Sequence, residues 1–171
     1  MMQKLVLSII AMTLAIFSVT AMPGERHVIN AGNTEHIIIS GDLNIILIAG
    51  PGTDQSMLVG SSVTDKLSLK FSQNTLAIAP ANFGSSRNIT VYVYVNVLRS
   101  LVIENDATVR TVGVINSPKL ELMIGGEGKV HLKTNGVVNP TAIFDAEIKV
   151  DFISQNGMDK ERLTKSNRNL K

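Results

Sequence analysis

The chain has 171 residues and a mass of 18.4 kDa, is 44% hydrophobic and 18% charged, and has a mean hydropathy of +0.22, the size of one domain or of one domain with a tail. Sixteen Lys and Arg against fourteen Asp and Glu leave a formal charge of +2, too weak a positive field to gather nucleic acid. With no cysteine, a disulfide framework, a Cys-ligated zinc or iron–sulfur site, a thiol nucleophile and the lipid-bearing cysteine of a lipoprotein are all excluded.

Residues 1–21 read as an export signal. Lys4 precedes an uncharged run from Leu5 to Thr20, and Val19-Thr20-Ala21 offers small residues to a signal peptidase, so cleavage is expected after Ala21. The run is 16 residues, shorter than the roughly 20 that a membrane-crossing helix needs, and Met22-Pro23-Gly24 then stops any helix. An uncleaved anchor is the alternative. No later segment is long and apolar enough to span a membrane, which leaves an exported protein of the periplasm, cell surface or medium.

From Thr34 to Phe152 the hydrophobic period is two. Ile37-Ile38-Ile39, Ile45 to Ile48, Met57-Leu58-Val59, Leu67-Ser68-Leu69, Leu76-Ala77-Ile78 and Ile89 to Val95 are short β-branched or aliphatic runs. Turn residues separate them, among them Ser40-Gly41-Asp42, Gly50-Pro51-Gly52 and Pro80-Ala81-Asn82. The chain is therefore expected to be all-β. On the run ending at Val95, Tyr92 and Tyr94 take the parity opposite Val91, Val93 and Val95; such a pair either packs a second strand face or offers aromatic surface to a ligand. Asn88-Ile89-Thr90 fits a glycosylation sequon, which has meaning only in a eukaryotic secretory route.

The second half repeats. Leu101-Val102-Ile103 recurs 19 positions on as Leu120-Glu121-Leu122, Val109-Arg110-Thr111 recurs 21 on as Val130-His131-Leu132, and that again 18 on as Ile148-Lys149-Val150, with Leu122 reappearing as Ile143. Two short strands every 18–21 residues is the spacing of a parallel β-solenoid, although a Greek-key sandwich also places strands at 8–12 residues. Leu122 is expected to point inward and Glu121 outward. Gly125-Gly126-Glu127-Gly128 is read as a tight inter-strand turn, since a phosphate-cradling loop would open a helix and Lys129-Val130-His131-Leu132 reads as a strand. Asp145, Glu147 and Asp151 share one parity, as a calcium site or a glycosidase pair would use, or a solvated face. His27, His36 and His131 are too scattered to ligate a metal, and no serine stands in a Gly-x-Ser-x-Gly elbow. No cofactor is implied. After Phe152 the alternation stops: residues 154–171 hold five basic and two acidic residues, against ten and twelve in 22–153. The expected domains are thus 1–21, 22–153 and a polar basic tail, 154–171.

Gly41-Asp42-Leu43-Asn44 followed by Ile45 to Ile48, then Leu76-Ala77-Ile78, the extended run Ile89 to Val97, Leu98-Arg99-Ser100-Leu101-Val102-Ile103 and the glycine-bearing stretch Leu120 to Gly128 resemble the head GIN domain family of autotransporter adhesins, exported domains of Bacteroidota. The resemblance implies a right-handed parallel β-helix-like solenoid with short coils, acting as a non-catalytic binding or adhesion module toward an envelope, protein or glycan ligand. It carries no functional residues onto these positions, so the candidate ligand surface stays with Tyr92, Tyr94, Asp145, Glu147 and Asp151. Asp145-Ala146-Glu147 departs from the family's pattern, standing where a further Gly-x-Gly turn is expected. Two other classes fit an exported β-helix: a polysaccharide lyase or hydrolase, and a purely structural envelope protein.

Overall fold

The structure, a computed structural model, describes residues 26–30, 33–49, 56–60, 63, 65–82, 89–153 and 162–166, with backbone alone for 26–27, 56–60 and 162–166. The export signal at 1–21, Asn88 of the sequon, the His27 side chain and most of the polar tail lie outside the described residues. The named elements are strands: β1 Arg26–Asn30, β2 His36–Ile39, β3 Asn44–Ala49, β4 Ser56–Gly60, β5 Leu67–Ser72, β6 Thr75–Pro80, β7 Thr90–Val95, β8 Ser100–Ile103, β9 Thr108–Val112, β10 Lys119–Ile124, β11 Lys129–Thr134, β12 Val137–Ala142, β13 Glu147–Phe152 and β14 Arg162–Ser166. The all-β expectation is met, in two open sheets. One has eight strands in the order β1-β4-β7-β3-β9-β11-β13-β14, the other six in the order β12-β10-β8-β2-β6-β5.

The strands come in successive pairs, one from each sheet: β2 with β3, β6 with β7, β8 with β9, β10 with β11, and β12 with β13. Each pair forms a rung. Within both sheets neighbouring rungs pair in parallel. The order of rungs is not the order of sequence: β2 pairs with both β6 and β8, and β3 with both β7 and β9, so the first rung of the chain sits between the second and the third. Antiparallel strands finish the ends. β5 folds back on β6, β4 and then β1 flank β7, and β14 lies on β13, so part of the polar tail adds a strand.

Alternation decides which side chains meet. β7 buries Val91, Val93 and Val95 and leaves Thr90, Tyr92 and Tyr94 half-buried, and β10 buries Leu120, Leu122 and Ile124 between exposed Lys119, Glu121 and Met123. The inward residues of both sheets form one core of mainly Ile, Leu and Val, whose stiff or compact side chains suit a pleated surface. Each fully buried one contributes roughly 1.5–3 kcal/mol. Among the described residues three polar side chains share this interior: Thr34, Ser117 and Thr134. Ser117 Oγ accepts the Leu98 N–H at 2.9 Å and donates to the Leu98 carbonyl, while Thr134 Oγ1 donates to the Ile115 carbonyl at 3.0 Å, so these two hydroxyls stitch rung to rung without an unmet bond.

The register corrects the repeat read from sequence. Leu101 aligns with Leu122, 21 residues on, and Ile103 with Ile124, so the pairing of Leu101 with Leu120 was two residues short. Leu122 continues to Pro140, and Ile143, expected as its repeat, lies in a turn and is 61% exposed. A slip of two preserves every inward and outward face, so alternation alone could not detect it.

Candidate functional site

Four rungs cross from the six-stranded to the eight-stranded sheet through four-residue turns, 40–43, 104–107, 125–128 and 143–146. Because Ile39, Ile103, Ile124 and Ala142 are aligned, the third turn residues Asp42, Asp106, Glu127 and Asp145 stack along one corner, about 4.8 Å from rung to rung. Turn-to-turn bonds hold the stack: Gly41 N–H donates to Asn105 Oδ1 at 3.1 Å and Glu127 N–H to Asp106 Oδ1 at 2.9 Å. Gly126 is required here, since a Cβ would sit 2.6 Å from the Asn105 carbonyl carbon and 2.7 Å from Asp106 Oδ1.

The proposed acidic trio is thereby separated. Asp145 belongs to this corner, while Glu147 and Asp151 occupy the two ends of β13 on the outer face of the eight-stranded sheet. Glu147 Oε2 lies 3.7 Å from Lys129 Nζ and Asp151 Oδ2 2.9 Å from His131 Nε2. Both pairs are solvent-accessible and worth at most about 1 kcal/mol. Among the described residues no three His, Asp or Glu side chains gather as a group able to hold a metal ion.

That outer face is ruled into rows. Thr90, Asn44, Thr108, Lys129 and Glu147 are aligned across five strands, and so are Tyr92, Ile46, Arg110, His131 and Lys149 in the next row. Tyr94, Ile48 and Val112 begin a third. Aromatic and aliphatic groups therefore lie toward β7 and β3, and cations toward β9, β11 and β13. At the junction is a half-open depression of about 280 Å³ lined by Asn44, Ile46, Thr90, Tyr92, Thr108 and Arg110. Ile46 is only 5% exposed despite its outward parity. Arg110 is exposed, and among the described residues it has no ion pair and no side-chain hydrogen bond.

Of the sequence candidates, only Tyr92 lines the depression; Tyr94 stands one row away. Asn44, Thr90, Thr108 and Arg110 were not anticipated. Their parity was readable, but Asn44 and Thr108 become neighbours only through the insertion of the first rung, a 64-residue offset outside the 18–21 repeat.

The opposite sheet presents a plainer face. Met123, Val102, Ile38 and Ala77 are aligned as an apolar row, beside a polar row of Asn139, Glu121, Ser100, His36 and Thr75. Lys119 Nζ, 2.6 Å away, and the Asn139 amide, which donates at 3.2 Å, hold the Glu121 carboxyl below its ordinary pKa of 4.5.

Two open sheets sharing one core, with an outer face ruled into rows of side chains, define an all-β protein. Residues 33–139 match the family described as putative auto-transporter adhesin, head GIN domain, and the chain belongs to that family. Among solved structures it is similar to a putative adhesin from Bacteroides fragilis, with a TM-score of 0.53 at 13% identity, covering 69% of this chain and 72% of that one. A putative lipid binding protein from Parabacteroides distasonis matches at TM-score 0.44 and 16% identity over 68% of this chain and 59% of that one. A putative adhesin from the same organism matches at 0.43 and 11% over 70% and 64%. No curated protein matches the chain.

Proposed function

We propose that the protein is an exported, non-catalytic binding or adhesion module of the cell envelope, built as a right-handed β-helix-like solenoid over 22–153, released from a signal peptide at 1–21 and followed by a basic tail at 154–171. Its ligand is a glycan or protein of the envelope or of a surface outside it, and Tyr92, Tyr94, Glu147 and Asp151, with Asp145 at the rim, belong to the binding surface. The observation that carries this reading is the family match over 33–139. The parallel pairing of five rungs supports the solenoid, and the rows of the eight-stranded sheet supply a broad recognition face. Glu147 and Asp151 do not suit a glycosidase pair: they are four residues apart along one strand, about 13 Å, beyond the separation of roughly 5–9.5 Å that paired-carboxylate mechanisms use, and each faces a basic partner.

The test is to sequence the N-terminus of the exported protein and to screen that protein on a glycan array and by pull-down from envelope fractions. An N-terminus at Met22 and retention on a glycan or envelope protein that stays chemically intact are expected. New reducing ends or unsaturated sugars in the retained polysaccharide would overturn the non-catalytic reading.

A further inference from the structure

The depression between Tyr92 and Arg110 combines three chemistries across three adjacent strands, β7, β3 and β9. Tyr92 and Ile46 supply an apolar wall and floor, Arg110 a guanidinium, and Thr90, Asn44 and Thr108 a row of hydroxyl and amide groups. Among the described residues, none of these polar side chains is engaged in a side-chain hydrogen bond or ion pair. A guanidinium is a planar, permanently charged fork that matches a carboxylate in two parallel bonds. An aromatic face beside it favours a ring with one apolar side over a bare ion. A row of short polar groups at strand spacing suits the successive hydroxyls of that ring. The volume of about 280 Å³ is at the foot of the roughly 300–1,000 Å³ range of small-molecule sites, enough for one ring with its neighbours lying on the open sheet. The surroundings favour an anion. His131 and Lys129, the next residues in the two rows beyond Arg110 and Thr108, are each paired with an acid one strand further, Asp151 and Glu147, so the charge left over at the depression is that of Arg110.

We propose that this depression binds a single carboxylated pyranose, a hexuronate unit of an acidic polysaccharide, with its carboxylate on Arg110, its apolar face on Tyr92 and its hydroxyls on Asn44, Thr90 and Thr108. Lys133 and Lys149 lie along the direction in which a longer acidic chain would continue. The proposal rests on the binding-module reading above and names its ligand class.

Calorimetric titration of the exported protein with oligomers of galacturonate and glucuronate, with their methyl esters and with inorganic phosphate tests it. At least one uronate oligomer is expected to bind, and Arg110→Gln to weaken it roughly tenfold or more, the worth of a charge-assisted bidentate pair. Esterification should weaken binding to the same degree, and the ester should no longer distinguish Arg110→Gln from the parent. Thr108→Val, near in shape, should cost severalfold, while Lys70→Gln on the edge of the other sheet should cost nothing. Unchanged melting of Arg110→Gln guards against a folding artefact. Equal binding of acid and ester, equal losses in Arg110→Gln and Lys70→Gln, or phosphate binding as tightly as the uronates would overturn the site. Retention on the glycan array that survives Arg110→Gln sinks this site and leaves the binding module standing. Silence on the array and in the envelope pull-down, together with no uronate binding, sinks both.

Discussion

The two halves of the protein build the same rung by different routes. Between Ser100 and Phe152 each rung is laid directly on the one before it, joined by turns short enough to stack residue over residue. Between Arg26 and Val95 the chain makes one rung, leaves it, adds antiparallel β4 and β5, and returns with a second rung on the far side of the first. The later half is thus stabilised by nearest neighbours in sequence, whereas the first rung is held by strands 39 to 64 residues away on its two sides. Position in the stack, not position in the sequence, should set how much each residue matters.

The largest expected effect follows from that difference. Leu47→Asp places an unpaired charge at a fully buried site on β3, which joins both halves, and should remove several kcal/mol, on the scale of the whole folding free energy. Val150→Asp, equally apolar but in the last rung, should instead unfold mainly β12, β13 and β14. Hydrogen exchange across β3, β7 and β9 separates the two. Equal loss of protection in both variants would mean that the stack folds as one indivisible unit.

The turns test the same contrast at smaller cost. Gly126→Ala in the regular half meets the backbone of the rung beneath and should cost about 1–3 kcal/mol. The aligned Gly41 in the first rung has a φ of 82°, so Gly41→Ala should cost about 1–2 kcal/mol through backbone strain. Thermal melts check both, and Gly41→Asn should recover part of the loss where Gly126→Asn recovers none.

A third comparison concerns the last rung. The N–H groups of Val137 and Ile143 bond to the preceding rung, so those at 138, 140 and 142 face the open edge of the six-stranded sheet, and at 140 there is a proline with no N–H to offer. Pro140→Val should change monomer stability by less than about 1 kcal/mol while allowing edge-to-edge pairing. Sedimentation velocity should then show concentration-dependent association, and a variant that stays monomeric at high concentration would refute the guard.

The smallest effect is electrostatic. Glu121 is held below its ordinary pKa by Lys119 and Asn139, so its contribution is fully present above about 4.5 and disappears as pH falls through the lowered folded value. An NMR titration should place the Glu121 midpoint higher in Lys119→Ala than in the parent.

Alternation carried much of this architecture into view from the sequence. Val91, Val93 and Val95 pointing in with Tyr92 and Tyr94 out, and Leu122 in with Glu121 out, follow from a period of two. Three strands stayed hidden. β1 and β14 are short flanking additions, and β12 contains Asn139-Pro140, which reads as a turn although an edge strand tolerates it. The depression was illegible for a deeper reason: its two sides, Tyr92 and Arg110, meet only across Ile46, and hydrophobic spacing carries no information on which rung is inserted between which.

The inserted first rung also dictates a timetable. As the chain emerges from its N-terminal end, β2 and β3 are the first rung to arrive, with both edges bare. One flank waits for β6 and β7, the other for β8 and β9, so the second side is not closed until Val112 has emerged. A chain built strictly in sequence could consolidate rung by rung; this one must leave one edge of its apolar strand Ile45 to Ile48 uncovered while more than sixty further residues follow. Such late closure slows folding, because distant partners must be found before contacts repay their entropy.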